Sequence, residues 1–123
     1  MSQDVVADAL NQIMNAKKAK KIEVTIERSS KFLLNLLELM KNIGCLDYKI
    51  KGRELKIEIK SINECKAIKP RFNVSVEEID KYIRRFLPAR GFGYLIISTS
   101  KGLMTHQEAI EKNIGGSLIA YVY

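Results

Sequence analysis

A chain of 123 residues, 46% hydrophobic and 28% charged, is long enough to bury about two-thirds of its unfolded surface without staples, as one domain or as two small lobes sharing stability. Its formal charge of +7 favours a polyanionic partner, nucleic acid or an acidic membrane surface, without specifying a fold. Two cysteines without a CxxC pair and a single histidine exclude the usual zinc spacings. No signal-peptide pattern and no apolar stretch near the ~18 residues of a membrane span are present, so a cytosolic protein with buried thiols is expected.

From Asp4 to Met14 apolar pairs recur every fourth position (Val5-Val6, Ala9-Leu10, Ile13-Met14), the signature of one helical face. That helix is expected to run out in the lysine-rich Asn15 to Lys21. These cations either complement the helix C-terminal dipole or contact phosphates. Lys21 to Glu27 alternates strictly, predicting a strand with Ile22, Val24 and Ile26 inward. Arg28-Ser29-Ser30-Lys31 opens a second helix with a serine cap, and Phe32, Leu33, Leu34, Leu36, Leu37, Leu39 and Met40 give it a wide apolar face ending at Gly44. Leu46 to Lys51 and Glu54 to Lys60 flank Gly52-Arg53 as a hairpin. Residues 1–63 thus predict an α-β-α-β-β lobe with helices on one face of a sheet.

After a weak boundary at Ser61 to Glu64, Cys65 to Val76 alternates as a strand that Pro70 marks as an edge or a bend. Ile79, Tyr82, Ile83 and Phe86 predict a short amphipathic helix over Glu77 to Phe86, stopped by Pro88. Next come the apolar strand Tyr94 to Ile97, a hydroxyl-rich loop Ser98-Thr99-Ser100-Lys101-Gly102, and Thr105-His106-Gln107-Glu108, which has the form of a capping box. Gly115-Gly116 is expected to end that helix. A terminal strand follows, with Leu118, Ala120 and Val122 on one face. Residues 64–123 therefore predict a lobe that is mostly β with short helices, and the fold class is α+β.

Catalytic constellations are thin. Ser98, Ser100, His106 and Glu108 sit within a few residues without a GxSxG elbow, so His106 is expected to be a surface histidine at a helix start. Lys101-Gly102 lacks the GxxxxGK[ST] of a phosphate loop, and the acidic residues show no paired-carboxylate or metal-loop spacing. No cofactor and no small-molecule substrate are expected. Basic residues instead gather at expected loops and helix ends: Lys17 to Lys21, Arg28 to Lys31, Lys69 to Arg71, Arg84 to Arg90, and Lys101. A helix N-terminus beside hydroxyls and a lysine suits an anion. Aromatics are too sparse for a single-strand stacking platform, which points to a folded, double-stranded RNA read through 2′-OH groups.

Gly93, Ile96-Ile97-Ser98-Thr99, Gly102-Leu103-Met104 and Ala109 at this spacing resemble the signature of the small-subunit ribosomal protein number eight family. Asp4 to Leu10 with Asn15, Ser29-Ser30-Lys31, Gly115-Gly116 and Tyr121-Val122-Tyr123 extend the likeness over nearly the whole chain. Lys69 to Val74 and Leu87-Pro88-Ala89-Arg90 resemble its archaeal and eukaryotic branch. The resemblance implies a two-domain α+β protein that binds a central-domain helix of small-subunit ribosomal RNA, joins assembly early beside neighbouring small-subunit proteins, and has no catalytic role. It assigns minor-groove contacts to Ser98, Thr99 and Ser100, with Lys101 and Gly102 completing the loop. Asn15, Lys17, Lys18, Lys20, Ser29, Ser30, Lys31, Arg71 and Arg90 are the accompanying RNA-binding candidates, together with Gly116 and Ser117. Bacterial members carry a glutamate where this chain has Ser117, and often a tyrosine where it has Ser75. The alternative is a regulator that binds messenger RNA with the same surface.

Overall fold

The computed structural model describes residues 5–27, 31–88 and 93–123, with the side chains of Val5 and of residues 69–72 outside that description. It divides into two compact units, Met1–Ile62 and Asn63–Tyr123, built from four α-helices and two antiparallel sheets.

In the first unit α1 spans Val5–Lys18, β1 Glu23–Glu27, α2 Lys31–Asn42, β2 Leu46–Lys51 and β3 Glu54–Ile59. The strands order β1-β3-β2, with β2 and β3 joined by the tight turn at Gly52-Arg53. Period-2 alternation makes this sheet two-faced. Ile26, Leu46, Leu55 and Ile57 are buried, on the face against which α1 meets β1 and α2 meets β2. Val6, Ala9, Leu10, Ile13 and Ala16 of α1 and Leu33, Leu36, Leu37, Leu39 and Met40 of α2 fill the core. The first helix runs out inside the lysine-rich stretch, after Lys18, with Ala16 buried in its last turn. One expectation is corrected. Ile22 is 70% exposed, because the strand ladder begins only at Glu23 and position 22 contributes just its carbonyl, which accepts from Ile59 N at 2.8 Å.

The helix ends share one hydrogen-bond pattern with different residues at its strained position. At the end of α2, Gly44 adopts φ +86 while Cys45 N bonds Met40 O and Gly44 N bonds Lys41 O, both at 3.0 Å. At the end of α1, Lys21 N bonds Ala16 O and Lys20 N bonds Lys17 O, both at 2.9 Å. This is the same double closure, yet the left-handed residue is Lys20, φ +60.

In the second unit β4 spans Cys65–Val74, a 3₁₀ turn Val76–Glu78 leads into α3 Ile79–Phe86, β5 spans Tyr94–Thr99, β6 Gly102–Thr105, α4 His106–Glu111 and β7 Gly116–Val122. The sheet order is β4-β7-β5-β6. The strand containing Pro70 is an edge strand, and its pairing with β7 slips between Ala67 and Phe72. Ser75 starts the helical segment by donating its N–H and hydroxyl to Glu78 Oε1 at 3.1 and 3.0 Å. Strand β6 answers no expected element. Leu118 pairs with Ile97 while Ala120 pairs with Ile96, so an irregularity at Ile119 turns Leu118 and Ala120 to opposite faces, against the single face expected for them. Leu118 belongs to the core with Ile79, Ile83, Leu95, Ile97, Met104 and Ala109.

His106 is also corrected. It is buried, 4% exposed, and its Nδ1 accepts from Leu95 N at 3.1 Å. The strand pair closes at Ile96–Thr105, so the imidazole supplies the acceptor that a further ladder position would have given. Thr105 caps α4 by accepting from Glu108 N at 3.3 Å. The helix ends not at the glycine pair but at Asn113, φ +54, where Ile114 N bonds Ala109 O at 2.9 Å.

Burial holds the His106 pKa below 6.5, and the protonated ring would lose its lone pair at Nδ1. An unfolded chain takes up this proton below about pH 6.5 and the folded one does not. Stability is therefore full above that pH and falls as pH drops below it, by up to about 1.4 kcal/mol per pH unit, until the lowered folded-state pKa is reached. Thermal melts of His106→Asn, whose amide oxygen keeps the acceptor, should show that slope lost. In urea titrations Lys20→Gly is expected to gain about 1 kcal/mol by relieving the left-handed strain.

Candidate nucleic-acid interface

The hydroxyl-rich stretch is not the five-residue loop its composition suggests. Ser98 and Thr99 end β5, Gly102 begins β6, and Thr99 pairs with Gly102, leaving only Ser100 and Lys101 as a two-residue turn. Thr99 is consumed in building that turn. Its Oγ1 donates to Gly102 O at 2.8 Å and accepts from Lys101 N at 3.1 Å. Ser100, Lys101 and Gly102 are exposed at the tip, and Ser98 is half-buried. Among the described residues no side-chain hydrogen bond ties down the hydroxyls of Ser98, Ser100 or Ser117.

Strand register brings further residues to this end of the sheet. Ser98 pairs with Ser117, and Ser117 pairs with Asn73 on the edge strand β4. Directly paired residues point to the same face, so Asn73, Ser117 and Ser98 form a neutral polar row leading to the Ser100-Lys101 turn. Asn73 is exposed and was not among the residues picked out from the sequence. Only the pairing through β7, counted back from the glycine pair, could have flagged it.

Gly115 and Gly116 set this register by close approach rather than by ending a helix. A Cβ on Gly116 would run into the carbonyl oxygen of Ser98, and one on Gly115 would lie 2.5 Å from Val74 O. Ser117 leaves the row uncharged.

The remaining candidates lie in the first unit. Asn15 is exposed on the last turns of α1 and lines a concavity of about 370 Å³ with Gln12, Ala16, Ala19, Lys21, Glu23, Val24 and Thr25. Lys17 is half-buried; Lys18, Lys20 and Lys31 are exposed. Arg71's side chain, Ser29, Ser30 and Arg90 lie outside the described residues, as does the serine cap expected for α2. A second concavity, of about 130 Å³, lies on the charged face of the first sheet, lined by Glu23, Asp47, Tyr48, Lys49, Lys51, Lys56 and Glu58. Its three carboxylates and three lysines balance, Lys56 pairs with Glu23 at 3.6 Å, and the Tyr48 N–H with Lys41 holds the Asp47 carboxyl below its ordinary pKa. A neutral checkerboard does not attract phosphate. Among the described residues no three of His, Cys, Asp and Glu come together as metal ligands, and no helix is long and apolar enough to cross a membrane.

The sequence profile described as Ribosomal protein S8 matches residues 4–123. The chain belongs to the ribosomal protein S8 family. It is 43% identical over 129 residues to the small ribosomal subunit protein uS8 of Nanoarchaeum equitans, covering 100% of both chains. It is 42% identical over 125 residues to uS8 of Kluyveromyces marxianus and to uS8A of Saccharomyces cerevisiae, in each case across 97% of this chain and 96% of the relative. S8 is a family of ribosomal proteins, not of enzymes. The buried His106 of this S8 chain, bonded to backbone, is a structural group.

The glycine approach gives a test. Gly116→Ala should cost about 1–3 kcal/mol in denaturant unfolding, because its methyl must displace a strand carbonyl rather than a flexible side chain. The same displacement should shift amide resonances of Ser98 and Thr99.

Proposed function

We propose that this chain is a structural constituent of the small ribosomal subunit that binds a central-domain helix of its ribosomal RNA and supports subunit assembly, in the cytoplasm and beside neighbouring ribosomal proteins. Family membership over residues 4–123 and the small-subunit names of the relatives support the subunit. One structural observation supports the mode of binding: the row Asn73, Ser117 and Ser98 continues into the exposed Ser100-Lys101 turn. Short neutral donors and acceptors at a sheet end suit 2′-hydroxyls and base edges in the shallow minor groove of A-form RNA. In this reading residues 64–123 form the reading lobe. Thr99 holds the turn, Gly102 and Gly116 allow the RNA and the neighbouring strand close approach, and Ser98, Ser100, Ser117 and Asn73 make contacts. Residues 1–63 supply Asn15, Lys17, Lys18, Lys20, Ser29, Ser30 and Lys31 for backbone contacts, joined by Arg71, Arg90 and Lys101 from the second lobe. No cofactor and no catalytic step enter this role.

Filter binding to the central-domain RNA helix and to a scrambled duplex tests the assignment. Ser100→Ala should weaken the cognate complex by roughly 1–3 kcal/mol with little effect on the scrambled duplex. Lys18→Ala should weaken both alike and lower the salt slope by about 1. Thr99→Val should mimic Ser100→Ala, and Thr99→Ser should restore binding. Equal affinity of the unsubstituted protein for both RNAs would overturn specific recognition.

A further inference from the structure

The exposed side of α3 carries a cluster that the polar row does not use. Lys81, Arg84 and Arg85 line a shallow dip of about 370 Å³. Their spacing of three and four places them on one helical face, opposite the buried Ile79, Tyr82 and Ile83. We propose that this face is a second RNA contact, which binds the phosphodiester backbone without reading sequence.

The helix-end dipole accounts for a cation in the last turn. It does not account for three cations converging on one dip, because like charges at i,i+3 and i,i+4 repel. Arg84 pairs with Asp80 at 2.6 Å while remaining 79% exposed. Arg85 lies 5.3 Å from the centre of the Phe86 ring, and Lys81 lies 5.8 Å from that of Tyr82. Those rings belong to a column. Phe86 stacks on Tyr82 at 6.4 Å and on Tyr121 at 5.7 Å, and Tyr121 stacks on Tyr123 at 6.0 Å. Glu64 anchors the far end by accepting from the hydroxyls of Tyr123 at 2.6 Å and Tyr121 at 3.3 Å. The column fixes the platform under Arg85, so less side-chain freedom is lost when its guanidinium meets a phosphate. The partner follows from charge. The chain carries +7 and belongs to a ribosomal family, so a polyphosphate backbone is the complementary surface.

This inference rests on the RNA-binding reading above, and its test separates the two. The unsubstituted protein, Ser100→Ala, the triple variant K81Q/R84Q/R85Q and the charge-keeping R84K/R85K would be titrated over a range of salt. The probes are a central-domain fragment of small-subunit ribosomal RNA and a scrambled duplex. The triple variant should lose affinity for both RNAs equally, with the slope of log K against log salt reduced by about 2–3 and the cognate-to-scrambled ratio unchanged. R84K/R85K should keep the salt slope of the unsubstituted protein while losing part of its affinity for both RNAs alike. If the triple variant does not fold, Lys81→Gln alone should lower the slope by about 1. Unchanged affinity and slope would overturn the proposal. So would a triple variant that binds RNA normally but is lost from assembled subunits, since the patch would then face a protein. Failure of the unsubstituted protein to prefer the cognate RNA would overturn specific recognition alone, because the salt slopes would still test α3.

Discussion

The second unit depends on how closely β7 can lie against its neighbours. It is the last strand of the chain, yet it occupies the interior of the sheet, paired with β4 on one side and β5 on the other. Val74 O approaches the chain at Gly115, just ahead of β7, and Ser98 O approaches at Gly116, its first residue, where no side chain intervenes. Edge position and bulge do the rest. β4 keeps its pairing on both sides of the slip between Ala67 and Phe72, and the irregularity at Ile119 sends Leu118 into the core while Ala120 turns away. From that arrangement follows the alignment of Asn73, Ser117 and Ser98. The glycine pair is therefore a register device, and the polar row is its consequence.

Polar groups in this unit divide by whether the fold already uses them. Thr99 closes its own turn, His106 completes a strand end, Ser75 and Glu78 start a helix, and Glu64 anchors two tyrosines. These bonds fix geometry and leave little for a ligand. The tyrosines feel this arrangement. Burial and then the Glu64 carboxylate push Tyr121 up to about 12, so it stays a neutral donor. Ser98, Ser100, Ser117 and Asn73 are among the short polar side chains that the fold leaves over, and strand pairing places them at one end of the sheet. In the RNA-binding role proposed above, such neutral groups would suit groove contacts that give choice, while cations elsewhere on the chain would supply the phosphate contacts that give affinity.

Element type was largely legible because apolar periodicity reports burial directly. The wide leucine face of α2, the alternation of β3 and the spacing of Ile79, Tyr82 and Ile83 each led to the element observed. The errors came where one residue could be read two ways. The four residues of β6 are too few to show a period. His106 beside a capping threonine looks like a surface group, but the strand ending at Ile96 needed its Nδ1.

By itself the sequence determined the α+β class, the basic character and most of the apolar faces that form the cores of both units, because composition and local period are properties of neighbouring residues. Only the tertiary structure decided that Thr99 closes the turn with its own hydroxyl, that Asn73 stands in line with Ser117 and Ser98, and that Gly116 serves approach rather than a helix end. Each of these depends on pairing between strands distant in sequence. A register is fixed by where backbones can touch, which no local pattern of side chains records.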